Sequence, residues 1–235
     1  MSLSIFNSAQ PILRRKQQAL DIQDRKGLLN IKLQINDQTL FSLSYTRIDQ
    51  AFILWGLIAG IIFITGQLAP ISWTTQAIVW SILTVIGTLA TVVLTQFWVK
   101  VERLQWVLYC WITLMLLGVV LTDLGIFQGW VEILIHLPHI WLGLSAIGYL
   151  FTGVGLRSRA LTVAGIVHLV SIAFLNYVGS WQFLTTGLIM AANLLIFADN
   201  QWDMRPPIEN YALLNEEQKR FNQRQFQLRQ VDFNR

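Results

Sequence analysis

The chain has 235 residues, of which 54% are hydrophobic and only 13% charged, roughly half the charged share of an average soluble domain. This composition excludes a typical soluble globular protein and is typical of a multi-pass membrane protein. The formal net charge is +4, but the basic residues form no continuous block, which argues against nucleic-acid binding and favours attraction to anionic lipid. The single cysteine, Cys110, leaves no internal disulfide and no CxxC metal or redox motif.

Residues 1–49 precede the first long apolar run and are predicted to form a cytoplasmic segment. The stretch PILRRKQQALDIQDRKG, residues 11–27, predicts a short helix closed by Gly27. Residues 29–45 alternate apolar and polar side chains on both sides of Asn36 and Asp37, which predicts a small β-hairpin. An isolated hairpin is marginal in water, so we expect the membrane surface, the C-terminal tail or a partner to support it.

Six apolar runs follow, each long enough to cross about 30 Å of hydrocarbon. Such runs must be helical, because lipid cannot satisfy the hydrogen bonds of an irregular backbone. The sequence therefore predicts an all-α integral membrane protein with a six-helix transmembrane domain over residues 50–199. The predicted spans are 51–68, 76–98, 104–122, 140–156, 160–176 and 182–198.

All 17 Lys and Arg residues fall on one side of this six-span arrangement. Seven precede the first span, two lie between the second and third, two lie between the fourth and fifth, and six follow the last. Because basic loops are retained on the cytoplasmic side, this distribution predicts that both termini are cytoplasmic. The compact loops suit a plasma, inner or organellar membrane.

The middle of each predicted span lacks acidic and basic residues, which argues against an ion-coupled pump. Weakly polar side chains do recur there at helical spacing: a threonine stripe that includes Thr88 on the second span, and Asn193 on the sixth. His168 is the one ionisable group near the midplane. These residues are interpreted either as helix-packing positions or as the lining of a narrow polar pathway.

The segment EILIHLPHIW places Glu132, His136 and His139 within eight residues, before the fourth span. Residues 129–137 are too short to cross a membrane, and their spacing predicts an interfacial helix on the outer surface. A structural helix rim is the first interpretation, with no cofactor bound. The alternative is a Zn²⁺ or Mn²⁺ site, or a proton sensor, formed by these three residues. His139 and His168 differ in depth by roughly 12 Å, which argues against a bis-histidine haem within one chain and leaves open a haem shared with a second copy or a partner.

The C-terminal segment, residues 200–235, is polar and predicted to be a cytoplasmic helical tail. Leu214, Phe221 and Leu228 recur at heptad spacing and are the candidate partner-docking positions.

The sequence has no Walker loop, nucleophile elbow or dinucleotide fingerprint, so we expect no enzymatic activity. The leading hypothesis is an accessory, assembly or scaffold component of a larger membrane complex, whose partners are lipids and other membrane subunits or further copies of the chain. A small uncoupled solute transporter or channel is the alternative, motivated by the threonine stripe and His168. A metal- or pH-sensing membrane protein is the third.

Overall fold

A computed structural model describes residues 11–16, 19–35, 38–206 and 213–233. Helices account for most of the described chain, and short strands occur only outside the long helices. The helices are α1 (Ile22–Arg25), α2 (Arg47–Leu68), α3 (Trp73–Val101), α4 (Gln105–Phe127), α5 (Val131–Leu134), α6 (Leu137–Leu156), α7 (Arg159–Phe174), α8 (Gln182–Asp199) and α9 (Glu216–Phe233). The strands are β1 (Leu13–Arg15), β2 (Leu29–Ile35), β3 (Gln38–Tyr45) and β4 (Asn200–Trp202).

Six of these helices, α2, α3, α4, α6, α7 and α8, are long and apolar enough to span a membrane. The predicted number of spans is therefore confirmed, and the chain has the architecture of a multi-pass membrane protein. The longest of them is α3, which has 29 residues and extends three residues beyond each predicted end. At 1.5 Å per residue α3 is about 43 Å long, so it continues beyond a hydrocarbon core of about 30 Å.

The six long helices form a closed ring. Consecutive spanning helices pack side by side, and α8 packs along α2 to complete the circle. Strand β1 pairs with β4, and α1 contacts α9, so both terminal segments meet at one end of the ring. We call this end the terminal face, and the opposite end, which carries residues 69–72, 128–136 and 178–181, the loop face.

The predicted helix over residues 11–27 is wrong for most of its length. Leu13–Arg15 is a strand that pairs antiparallel with Asn200–Trp202, and among the segment's described residues, 11–16 and 19–27, only Ile22–Arg25 is helical. The apolar face of this segment is weak, so a backbone ladder supplied by the distant end of the chain outweighs local helix propensity. Gly27 has a φ of +76° and closes the short helix, as predicted.

The predicted hairpin is confirmed. Strands β2 and β3 pair antiparallel from Leu29 opposite Tyr45 to Ile35 opposite Gln38, with a bulge beside Leu33. The predicted turn residues Asn36 and Asp37 lie outside the described residues.

The segment before α6 is less helical than predicted for residues 129–137. Helix α5 is a single turn of four residues, and α6 begins at Leu137 with Pro138 in its first turn. The position of α5 in an outer membrane interface stays a prediction. Its exposed apolar side chains Trp130, Val131 and Ile135 are the residues that such a position would shield.

Candidate functional site

The ring of helices encloses a cavity of about 160 Å³. Every one of the six long helices contributes to its wall, which is mainly aromatic and aliphatic. Among the described residues that line it, His168 is the only one with an acidic or basic side chain. Its aromatic members are Phe52, Trp55, Trp98, Trp111, Tyr149 and Trp202, and its hydroxyl members are Thr88, Thr91, Thr95, Ser145 and Thr152.

A repeated G-x-x-x-T pattern positions the indoles between the helices. In each case the glycine leaves space for a tryptophan ring from the neighbouring helix, and the threonine one turn later accepts the indole N–H. At Gly148, an added Cβ atom would lie 2.5 Å from the Trp111 ring, and Trp111 donates to Thr152 at 2.9 Å. The other two pairings are Trp55 with Gly87 and Thr91, and Trp141 with Gly118 and Thr122.

The threonines in this pattern have both functions of their hydroxyl satisfied. Thr152 Oγ1 donates to the carbonyl of Gly148 at 2.7 Å while it accepts from Trp111. Thr88, which was predicted as a pathway or packing residue, donates to the carbonyl of Thr84 at 2.8 Å and also lines the cavity. Within the predicted threonine stripe, Thr91 therefore contributes to helix packing and Thr88 forms part of the cavity wall.

One described residue of the wall, His168, has an unsatisfied polar atom. His168 is fully buried, and its Nδ1 lies 2.8 Å from the carbonyl oxygen of Ala164 on the same helix. Its Nε2 is buried and has no hydrogen-bond partner in the described part of the chain. The Tyr149 ring lies 5.0 Å from the imidazole, centroid to centroid. Asn193, a predicted pathway or packing residue, is not among the described wall residues, and its buried Nδ2 also lacks a partner there.

Packed apolar side chains close the cavity towards both faces. Towards the loop face, the ring is filled by a packed apolar group, which we call the loop-side cluster: Ile62, Phe63, Trp80, Leu142 and Leu175. Towards the terminal face, a second packed group includes Val99, Leu156, Leu161 and Phe197, and a smaller cavity of about 50 Å³ lies next to the first. Among the described residues, Ile48, Trp98 and Trp202 line both cavities, and we call these three side chains the terminal closure.

The smaller cavity is polar and includes the carboxyl groups of Asp24 and Asp49. Trp98 Nε1 donates to Asp24 Oδ1 at 2.9 Å, so this carboxyl group orients one ring of the terminal closure. Burial, helped by the nearby Asp21 and Glu102 carboxylates, raises the pKa of Asp24 to about 7, although the bond from Trp98 lowers it. Asp24 therefore titrates near neutral pH while it contacts the closure.

Further polar contacts tie the terminal segments to this face of the ring. Arg229 on α9 contacts both carboxylate oxygens of Asp21, at 3.0 and 2.9 Å. Gln23 donates to Glu102 at 2.9 Å, and Glu102 also accepts from Arg205 at 3.0 Å. A buried charge is tolerated only when it is paired, and each of these carboxylates has a basic partner.

The three residues predicted as a metal or sensor site lie together at the loop face. His136 Nδ1 is 2.7 Å from the backbone carbonyl of Glu132, and the rings of His136 and His139 are 5.4 Å apart. Within the described residues, no group of three or more His, Cys, Asp or Glu side chains has a spacing that could hold a metal ion. The two imidazoles are thus brought together without a third ligand from the described chain, and the site stays a prediction.

The predicted docking residues of the tail are separated by the fold. Leu214 is buried, Phe221 is half-buried with the Arg25 guanidinium 5.3 Å from its ring, and Leu228 is exposed. On the same helix, Asn222 bonds to the backbone N–H of Ile22 at 2.8 Å. Part of the predicted seam therefore packs on the N-terminal segment of the same chain.

Sequence reasoning missed the polar network and the terminal closure. Asp203 is an example: its carboxylate accepts from the backbone N–H groups of Arg159 and Ala160 at 3.0 and 2.9 Å, at the start of α7. The sequence signal for this contact is an acidic residue, Asp203, close to the end of a predicted span, because carboxylates are stabilised at helix N-termini. The G-x-x-x-T pattern was also readable in GTLAT, GVVLT and GYLFT.

Comparison with known proteins gives no match to any family model, curated protein or solved structure.

Proposed function

We propose that this protein is a small uncoupled transporter that binds an uncharged, largely apolar solute in the cavity between its six long helices. The observation that carries the proposal is the apolar cavity itself, which all six long helices line and which borders a second, polar cavity at the terminal face. Ile48, Trp98 and Trp202 line both cavities. A solute would enter at the terminal face when Ile48, Trp98 and Trp202 move apart.

The wall of the cavity supports an uncharged solute. No described wall residue supplies a carboxylate or ammonium group to neutralise an ion, and an unpaired charge in such a site is strongly disfavoured. Its volume of about 160 Å³ suits a molecule the size of a single aromatic ring. An engineered apolar cavity of about 150 Å³ in another protein binds benzene.

We further propose that the terminal face is cytoplasmic. Every Lys and Arg of the sequence falls before Ile48, after Asp199, or within residues 100–103 and 157–159, where spans end or begin at this face, and none belongs to the loop face. Reporter fusions after Arg235 and within residues 178–181 test this orientation: we expect cytoplasmic activity for the first and none for the second. Cytoplasmic activity of the fusion within residues 178–181, and none for the fusion after Arg235, would contradict this orientation.

Access to the cavity can be measured by cysteine labelling, because Cys110 is the one native thiol. In a Cys110→Ser background, Ser145→Cys places a thiol in the cavity wall, and Leu142→Cys places a matched thiol one turn away in the loop-side cluster. We expect Ser145→Cys to react with a small maleimide added at the terminal face. Leu142→Cys, whose side chain is fully buried, should not react.

The same assay separates transport from binding. Trp98→Ala removes one ring of the terminal closure and should increase the labelling rate of Ser145→Cys. Reaction of Ser145→Cys from both faces supports transport, whereas reaction from the terminal face alone supports a binding protein. If Ser145→Cys is as inert as Leu142→Cys, the cavity does not open and the proposal fails.

The accessory-component hypothesis is the second candidate. The sequence suggests that both terminal segments are too weakly apolar to fold alone. In the structure, however, they pack on each other and on the ring. It is favoured instead by apolar side chains exposed outside the spans, at Leu29, Ile31 and Leu228. Replacing all three by serine should remove co-purifying membrane subunits if this is a docking surface, and unchanged recovery of partners would count against it.

The sensor hypothesis at the loop face is the third and is tested separately. A variant with His136→Ala and His139→Ala should lose any stoichiometric Zn²⁺ or Mn²⁺ that the purified protein carries. If native protein and variant bind the same amount of metal, these residues are not the site.

A further inference from the structure

The geometry points to a hydroxyl-bearing ligand: we infer that His168 Nε2 accepts a hydrogen bond from the hydroxyl group of a small phenol or alcohol whose apolar body fills the cavity. This inference rests on the proposed function and deepens it by naming the chemical class of the solute. It depends on the protonation of one imidazole and on the neighbours of its free nitrogen.

The hydrogen bond to Ala164 determines the tautomer of His168. A carbonyl oxygen can only accept, so the contact of 2.8 Å requires that Nδ1 carries the hydrogen. In the uncharged ring Nε2 is then an acceptor with a free lone pair. His168 is fully buried and lines the cavity, and this nitrogen has no partner in the described part of the chain.

A buried acceptor without a partner is costly, and a bound ligand that donates a hydrogen bond removes that cost. The ligand must therefore present an O–H or N–H group to Nε2. An aliphatic or aromatic hydrocarbon of the same shape would leave the acceptor unsatisfied. The site thus discriminates by a polar group and not by shape alone.

The wall favours a hydroxyl over an amine as the donor. A small aliphatic amine is protonated near neutral pH, and the described wall has no carboxylate to pair with an ammonium ion. A phenol or an alcohol is uncharged at that pH and can still donate a hydrogen bond to Nε2. An uncharged hydroxyl ligand therefore fits this acceptor.

The rest of the wall determines the size and charge of the ligand. Trp111, Met190 and Leu194 provide apolar surface in the same wall, and the volume of about 160 Å³ accommodates one ring. The absence of a charged side chain from the described wall disfavours a carboxylic acid in its ionised form and an ammonium ion. A neutral phenol or a short-chain alcohol meets both conditions.

The test uses two fluorinated probes of nearly equal size, 4-fluorophenol and 4-fluorotoluene. Full-length protein in lipid nanodiscs is titrated with each probe, binding is followed by ¹⁹F NMR, and empty nanodiscs provide the partition blank. We expect 4-fluorophenol to bind about tenfold more tightly than 4-fluorotoluene after subtraction of the blank, because one buried hydrogen bond distinguishes them.

A variant assigns this preference to the imidazole. His168→Phe should reduce the preference to about onefold while it retains binding of 4-fluorotoluene. His168→Gln keeps a side-chain acceptor and should preserve part of the preference for 4-fluorophenol. This second variant keeps the test decisive if His168→Phe does not fold. His136→Phe at the loop face is the matched control and should behave as the native protein.

The outcomes separate the two proposals. If neither probe binds above the blank, the cavity does not take up small apolar molecules, and the proposed function falls together with this inference. If both probes bind with equal affinity in the native protein, the cavity function stands and the role of His168 is overturned.

Discussion

At the scale of single residues, a few side chains make two structural contacts at once. Thr152 bonds to its own helix and to an indole across the helix interface, and Asp24 belongs to the terminal polar network while it holds Trp98. Such residues link the packing of the ring to the shape of the cavity. A change at one of them is therefore expected to alter both stability and access.

Asp24→Asn tests the titration of this carboxyl group. Its pKa in the folded protein, about 7, lies above its ordinary value of 3.8, so the folded state binds the proton more tightly than the unfolded chain. The free energy of unfolding should therefore fall as the pH rises from about 4 to about 7 and level off above that range. Asparagine keeps an oxygen for Trp98 but cannot ionise, so it removes this contribution.

The measurement is the difference in Tm between Asp24→Asn and the native protein at pH 5 and at pH 8. We expect the difference to become more positive at pH 8, by about 2 °C or more. Glu217→Gln, an exposed change on α9, is the control and should show a difference that does not depend on pH. A constant difference for Asp24→Asn would mean that this carboxyl group ionises at its ordinary pH.

At the scale of elements, the ring depends on close approach between neighbouring helices. Indoles lie across the interfaces of α2 with α3 and of α4 with α6, where glycines leave space for them. Outside the ring, α9 is held to the N-terminal segment mainly by polar contacts around Asp21 and Gln23. Apolar packing and buried polar pairing thus stabilise different parts of the molecule.

Gly118→Ala should weaken the interface between α4 and α6. The new methyl group would meet the Trp141 ring, 2.6 Å from its nearest atom, and that ring is held by its bond to Thr122. We expect a loss of about 1–3 kcal/mol of stability, measured as a lower Tm in detergent. Gly60→Ala is the matched control, because nothing lies within 4 Å of its added Cβ atom. Equal Tm values for the two variants would contradict this packing.

Arg229→Ala should release α9 from the terminal face. The change leaves the buried Asp21 carboxylate without its charged partner, and breaking a buried pair costs about 3–5 kcal/mol. We expect faster hydrogen exchange over residues 213–233 with little change in the long helices. Arg224→Ala removes an exposed arginine from the same helix and should leave exchange unaffected. Unchanged exchange in Arg229→Ala would show that α9 is held by other contacts.

At the scale of the whole molecule, six helices enclose a cavity that no single helix contains. Its volume is a property of the ring, since every long helix contributes to the wall. The same arrangement places the loop-side cluster on one side of the cavity and the smaller polar cavity on the other. Uptake of a solute is therefore a property of the assembled bundle.

Ser145→Leu should fill the cavity without disturbing the ring. Ser145 lines the cavity and is buried, so a larger apolar side chain there replaces empty volume and not a neighbouring atom. We expect Tm to stay within about 2 °C of the native value, while binding of 4-fluorophenol weakens at least about tenfold. Undiminished binding at a native Tm would place the probe elsewhere.

The sequence by itself determined the parts of this protein that depend on local pattern. Apolar runs long enough for a bilayer determined the six helices, and strict alternation determined the hairpin of β2 and β3. Only the tertiary structure decided the pairing of β1 with β4, because the two strands are separated by more than 180 residues and each is too short to carry a signal. The same holds for the cavity and for the free nitrogen of His168. Whether a polar atom has a hydrogen-bond partner depends on which residues the fold brings next to it. The spacing of residues along the chain does not identify those neighbours.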